Sequence, residues 1–165
     1  MKRIVLSILF AISCLACSNA QKTEFSKATF ENKLTTQDNT QTTFKEIIKN
    51  HKGKVVVIEI WASWCSDCVK AMPKLKDLQA KYTDASYVFI SMDKSYDKWL
   101  AGIDKHELKG DHYWATDGMK GEFGKSIDLD WIPRYIIIDK NGKIATYRAI
   151  ETDFEAMSAT IKKIL

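Results

Sequence analysis

The run Val55-Val56-Val57-Ile58-Glu59-Ile60-Trp61-Ala62 constrains the fold more tightly than any other part of the chain. It is apolar at every position except Glu59, so as a strand it would bury both faces. A strand of that kind belongs at the centre of a sheet covered by helices on each side. The run leads into Trp64-Cys65-Ser66-Asp67-Cys68. Beyond it Val69, Met72, Leu75, Leu78 and Tyr82 recur at steps of three and four, which predicts a helix from Cys65 to about Tyr82. Pro73 falls inside that pattern and should kink the helix rather than end it, because the periodicity resumes beyond it. Strand, turn, Cys-x-x-Cys, helix is the setting in which this spacing reads as a redox pair.

The flanking sequence supplies the other elements. Thr29 to Phe44 alternates around Gln37-Asp38-Asn39-Thr40 and predicts a small hairpin. Thr43 to Lys49 predicts a short helix with Phe44, Ile47 and Ile48 inward, and Tyr87 to Met92 a second buried strand. Ser95 is placed to cap a helix carrying Trp99, Leu100 and Ile103. His112 to Ala115 reads as a short strand and Gly121 to Ile127 as a short helix. Tyr135 to Asp139 and Lys143 to Arg148 form strands joined at Asn141-Gly142, a strong hairpin signal. Thr152-Asp153-Phe154-Glu155 reads as a capping box opening a final helix to Leu165. The order describes one α/β domain with a mixed sheet.

The composition, 45% hydrophobic and 28% charged over 165 residues, suits one domain with a real core. The formal charge is +4, and removal of a leader containing Lys2 and Arg3 leaves +2. That is too little to argue for nucleic acid or an anionic membrane surface, and the lysines alternate with acids as a solvated surface does. The leader reads as an export signal over residues 1–20: a basic start at Met1-Lys2-Arg3, an uncharged apolar run from Ile4 to Cys17, and Ser18 and Ala20 before a cleavage point at Gln21. The run falls short of the roughly 20 residues a spanning helix needs. Two cysteines in it, Cys17 within Leu15-Ala16-Cys17-Ser18 and Cys14 within Ala11-Ile12-Ser13-Cys14, are candidate lipidation sites, each an imperfect match, so lipid anchoring and plain secretion both stay open. Either route places the working domain outside the cytoplasm, in the periplasm or cell envelope, where disulfides persist. The mature domain then keeps only Cys65 and Cys68, a pair with no structural disulfide framework around it. Residues 21–29 are expected to be a loose leader and residues 30–165 the domain.

Three stretches together resemble the thioredoxin superfamily, and more closely its exported TlpA/ResA-like thiol-disulfide oxidoreductases. They are Trp61-Ala62-Ser63-Trp64-Cys65-Ser66-Asp67-Cys68 with Pro73 five residues on, Trp131-Ile132-Pro133-Arg134-Tyr135-Ile136-Ile137-Ile138-Asp139, and the following Asn141-Gly142. The resemblance covers about residues 30–165 and implies a thioredoxin-like mixed sheet flanked by helices, with an N-terminal hairpin and a central TlpA-like insert between Asp93 and Trp131. Ser66-Asp67 departs from the Gly-Pro of thioredoxin, so the redox potential does not carry over. Arg134 stands where thioredoxins commonly have threonine.

Cys65 is the expected nucleophile, because the first turn of a helix offers unpaired N–H groups and a dipole that stabilise a thiolate. The resemblance implies the same, with Cys65 exposed and attacking and the more buried Cys68 resolving the mixed disulfide. Asp67 places a negative charge beside the developing thiolate, which raises its pKa and points to a reducing pair. Glu59, between Val57 and Trp61 on one strand face, is expected to be buried. By resemblance it is the proton acceptor for Cys68. The resemblance also implies a cis Ile132-Pro133 bond, a substrate contact through the backbone of Ile132, and a cleft flanked by Trp64 and Trp131. The expected partners are protein thiols and disulfides and a redox protein that resets the pair, with no cofactor and a monomeric chain. Two other readings remain: a copper or zinc chaperone using the same cysteines, and a thiol peroxidase of the superfamily. The three histidines sit at no finger-like spacing from the pair, which disfavours zinc. Ile58 and Ala62 stand where the peroxidase class has proline and threonine, which disfavours that reading.

Overall fold

A computed structural model describes residues 21–165. The export signal, Cys14 and Cys17 lie outside the described residues. The chain forms α1 (Lys27–Glu31), β1 (Lys33–Thr36), β2 (Gln41–Thr43), α2 (Phe44–Asn50), β3 (Val56–Trp61), α3 (Ser66–Lys81), β4 (Ser86–Ser91), α4 (Tyr96–His106), β5 (Asp111–Trp114), α5 (Glu122–Ser126), β6 (Arg134–Ile138), β7 (Ile144–Ala149) and α6 (Phe154–Ile164). Seven strands make one mixed sheet in the order β2-β1-β5-β4-β3-β6-β7. β3 and β4 are parallel, as are β4 and β5, whereas β6 runs antiparallel to β3. This is the mixed α/β architecture expected, with β3 in the interior of the sheet and buried at every position.

The inner strands explain the direction of the site. β3 ends at Trp61 and the chain turns at once into α3, so the dithiol lies at the C-terminal end of the parallel strands. β6, being antiparallel, begins at that same end, and its Arg134 pairs with Ile60. Residues 93–131 form a packed unit rather than an appendage. Their strand β5 joins β4 to the N-terminal hairpin, pairing Ser91 with Trp114 on one side and Thr35 with Trp114 on the other.

Several local expectations are revised. The segment 21–29 is not loose throughout: Phe25 is buried edge-on against Phe44 at 4.9 Å, Thr23 accepts a backbone hydrogen bond from Ile144, and α1 begins at Lys27 under a Ser26 cap. An aromatic residue that can complete a cluster with Phe30, Phe44 and Phe123 gains more from burial than from solvation. The box at Thr152 does not form. α6 starts one residue later behind Asp153, whose carboxylate accepts from the Ile150 N–H in the preceding turn. The working box is at α2, where Thr43 Oγ1 accepts from Glu46 N–H and Glu46 Oε2 accepts from Thr43 N–H. Ser95 occupies the cap position of α4, but its hydroxyl does not cap. The Asn141-Gly142 hairpin uses Gly142 at φ +85°, with the Asp139 carboxylate accepting from the N–H groups of Asn141 and Lys143.

Candidate active site

Cys65 is the N-cap of α3, and its Sγ accepts a hydrogen bond from the Cys68 N–H at 3.1 Å. The first helical turn thus points a backbone donor at the sulfur that would carry negative charge. Cys65 and Cys68 are joined as a disulfide across 5.3 Å between Cα atoms, so the structure holds the oxidised pair. Cys68 is fully buried. Cys65 is 6% exposed, which revises the expectation of an open nucleophile. The reason lies overhead: the carbonyl oxygen of Ile132 sits 3.5 Å from Cys65 Sγ. The Ile132–Pro133 bond is cis, as the resemblance implied, and both residues are buried. Trp64 and Trp131, which immediately precede Cys65 and Ile132 in the chain, are 54% and 56% exposed, the two large aromatic side chains that the described residues leave in solvent.

The loop above the sulfur is held from below by charge. Arg134 Nε and Nη2 reach Asp130 Oδ1 at 3.1 Å, Arg134 Nη1 donates to the Pro133 carbonyl at 3.2 Å, and Arg148 also binds Asp130. Burial alone would raise the Asp130 carboxyl, but the hydrogen bonds from Arg148 and Arg134 bring it down to about 2. Arg134, the departure from the thioredoxin pattern, therefore ties together the two ends of the Asp130-to-Arg134 loop. Asp67 lies in the first turn of α3, 3.7 Å from Lys70, so its negative charge has a cation one turn away.

Glu59 is 1% exposed in the middle of β3. Burial pushes its carboxyl up to about 8, against the opposing pull of a 3.3 Å hydrogen bond donated by the Tyr135 hydroxyl to Oε1. Oε2 has no partner among the described residues.

A second buried carboxylate was not foreseen. Asp93, just after β4, accepts from Ser63 N–H at 3.0 Å, Ser63 Oγ at 2.6 Å and Ser91 Oγ at 2.8 Å. Its own carbonyl accepts from Trp114 Nε1 at 2.7 Å. Asp93 thereby clamps the residue two before Cys65 to the end of β4. α4 comes so close to the same residue that a Cβ on Gly102 would lie 2.7 Å from Ser63 Cβ. The sequence signal was an acid closing an apolar strand, but its partner lies 30 residues earlier and no local pattern names it. Among the described residues, no group of three or more His, Cys, Asp or Glu side chains converges on a metal position.

A model of the thioredoxin-like family matches residues 53–144. The chain is 29% identical over 130 residues to the thiol-disulfide oxidoreductase ResA of Bacillus thuringiensis, covering 71% of this chain and 67% of that protein. It is 35% identical over 104 residues to the thioredoxin-like protein YneN of Bacillus subtilis, covering 61% and 59%. The solution structure of a proposed thiol-disulfide oxidoreductase from Bacteroides vulgatus superposes with a TM-score of 0.64 at 27% identity, over 79% of this chain and 84% of that one. The chain belongs to the thioredoxin-like family, as a protein-disulfide oxidoreductase.

Proposed function

We propose that the protein is exported and works as a reductase of disulfides in other proteins, with Cys65 as nucleophile and Cys68 as resolving thiol. The observation that carries this reading is the placement of Cys65 Sγ at the cap of α3, 3.5 Å from the Ile132 carbonyl, with an exposed tryptophan next in the chain to each of these residues. In the reduced protein the Cys65 thiolate attacks one sulfur of a substrate disulfide. A mixed disulfide forms and the other substrate sulfur leaves as a thiolate, to be protonated by solvent. Cys68 gives its proton to Glu59 in its ionised form and attacks the Cys65 sulfur. The Cys65–Cys68 bond forms, the second substrate thiolate departs and takes up a proton, and two electrons have passed to the substrate. A partner dithiol then returns two electrons to the pair.

The backbone of Ile132 and the rings of Trp64 and Trp131 form the landing surface, an extended contact suited to flexible or partly unfolded segments. Asp67 supports the reductase direction, since its charge disfavours the Cys65 thiolate. Export is supported by the basic start, the apolar run and the small residues before Gln21. It would deliver the domain to the periplasm or cell envelope, as a soluble chain beginning at Gln21 or as a longer chain beginning at, and lipid-anchored through, Cys17 or Cys14. In this reading the working domain expected over residues 30–165 extends back to Thr23, and the chain acts as a monomer.

Direction of electron flow is tested by acid-quenched thiol trapping of Cys65 and Cys68 in the cells that express the protein. A mostly reduced pair is expected. A mostly oxidised pair would overturn the reductase assignment in favour of an oxidase.

A further inference from the structure

Glu59 and Tyr135 face one another directly across the antiparallel pair β3–β6. Tyr135 is fully buried, and its ring is fixed edge-on against Phe154 at 5.3 Å, so its hydroxyl reaches few atoms. It reaches Glu59 Oε1 and leaves Oε2 buried without a partner. A carboxyl group needs one oxygen for its proton, and an oxygen already accepting a hydrogen bond serves well as the carbonyl oxygen of the acid form. The same phenol therefore suits both protonation states and directs the proton to the other oxygen.

We propose that Tyr135 is a positioning residue that holds Oε1 of Glu59 and reserves Oε2 for the proton exchanged with Cys68. This rests on the reading of Glu59 as the proton acceptor. Among the described residues the Tyr135 hydroxyl is the one hydrogen-bond partner of the Glu59 carboxyl; the register sets Phe89 of β4 opposite Glu59 and Ala149 of β7 opposite Tyr135, and α6 contributes the ring of Phe154. Burial and the Tyr135 hydrogen bond are what act on Glu59. Glu151, in the turn before α6, acts with Glu59 and with burial to hold Tyr135 as a neutral phenol. Tyr135 also lies two residues after Pro133, so one short segment supplies both the lid over Cys65 and the hydroxyl that orients the acid.

The test uses the reduced protein mixed with Ellman's reagent in a stopped-flow instrument. The first thionitrobenzoate is released as Cys65 forms the mixed disulfide, and the second as Cys68 displaces it and the Cys65–Cys68 bond forms. The rate of the second phase is followed from pH 5 to pH 10. Tyr135→Phe keeps the ring and its contact with Phe154 while removing the donor that favours the carboxylate. Its second phase should shift to higher pH by about one unit while the first phase is unmoved. Glu59→Gln should abolish that pH-dependent limb, and adding Tyr135→Phe to it should produce no further change. A Tyr135→Phe profile superimposed on the parent, with Glu59→Gln still altered, overturns the role of Tyr135 and leaves that of Glu59 intact. A Glu59→Gln profile identical to the parent removes the proton acceptor and the positioning role with it. Additive effects in the double variant would also overturn the proposal.

Discussion

At Glu59 the needs of the fold and of the chemistry oppose each other. A carboxyl in the centre of a sheet costs stability whenever it ionises, because at that depth one phenol hydrogen bond replaces the water that would solvate the charge. Its folded value of about 8 lies above the ordinary 4.5. As pH rises from about 4.5 to about 8, the unfolded chain releases this proton while the folded chain retains it, so the protein loses stability across that window. Glu59→Gln should therefore gain almost nothing near pH 4 and on the order of 5 kcal/mol at pH 9, read from urea unfolding at both pH values. An equal gain at both would show that the carboxylate is not the source. The burial of Glu59 was legible from the alternation of Val57, Glu59 and Trp61. Its partner was not, because Tyr135 meets it only through the register of β3 on β6, which two distant apolar runs leave open.

At the scale of elements, what the sequence announced correctly was what its own periodicity carries. β3, α3, β4 and the β6–β7 hairpin lie within about a residue or two of their expected bounds, since patterning and turn chemistry are local. Caps were less legible: Thr43 and Thr152 each precede an acid three residues on, yet only the first closes a box. At the second, Asp153 turns back to the Ile150 N–H, and this local bond moves the helix start. Thr43→Ala should cost about 1 kcal/mol. Thr152→Ala should stay within about 0.5 kcal/mol, as surface changes do, and thermal unfolding of the two variants separates them. The packing of the N-terminal segment is hidden in the sequence for a related reason. Phe25 is a single aromatic residue in a polar stretch, and its burial depends on a pocket that α1, α2 and α5 build only after folding.

For the whole molecule, the site is an intersection of chain segments far apart in sequence. Cys65 and Cys68 come from the β3–α3 junction, the Ile132 carbonyl from the entry to β6, and the clamp on Ser63 from the end of β4. The cysteines and the Ile-Pro loop could be read in advance because each has a signature of its own. The clamp through Asp93 and the guanidinium knot on Asp130 could not, since both are contacts without a motif. Thiol-disulfide exchange through a nucleophilic Cys65 and a resolving Cys68 is the claim on which the rest depends. Its most direct test is a Cys68→Ala variant, reduced and offered a protein disulfide such as insulin, with the adduct mapped by mass spectrometry. The account predicts a stable one-to-one mixed disulfide on Cys65, absent from Cys65→Ser. Absence of an adduct from Cys68→Ala, or full insulin reduction by Cys65→Ser, would contradict it.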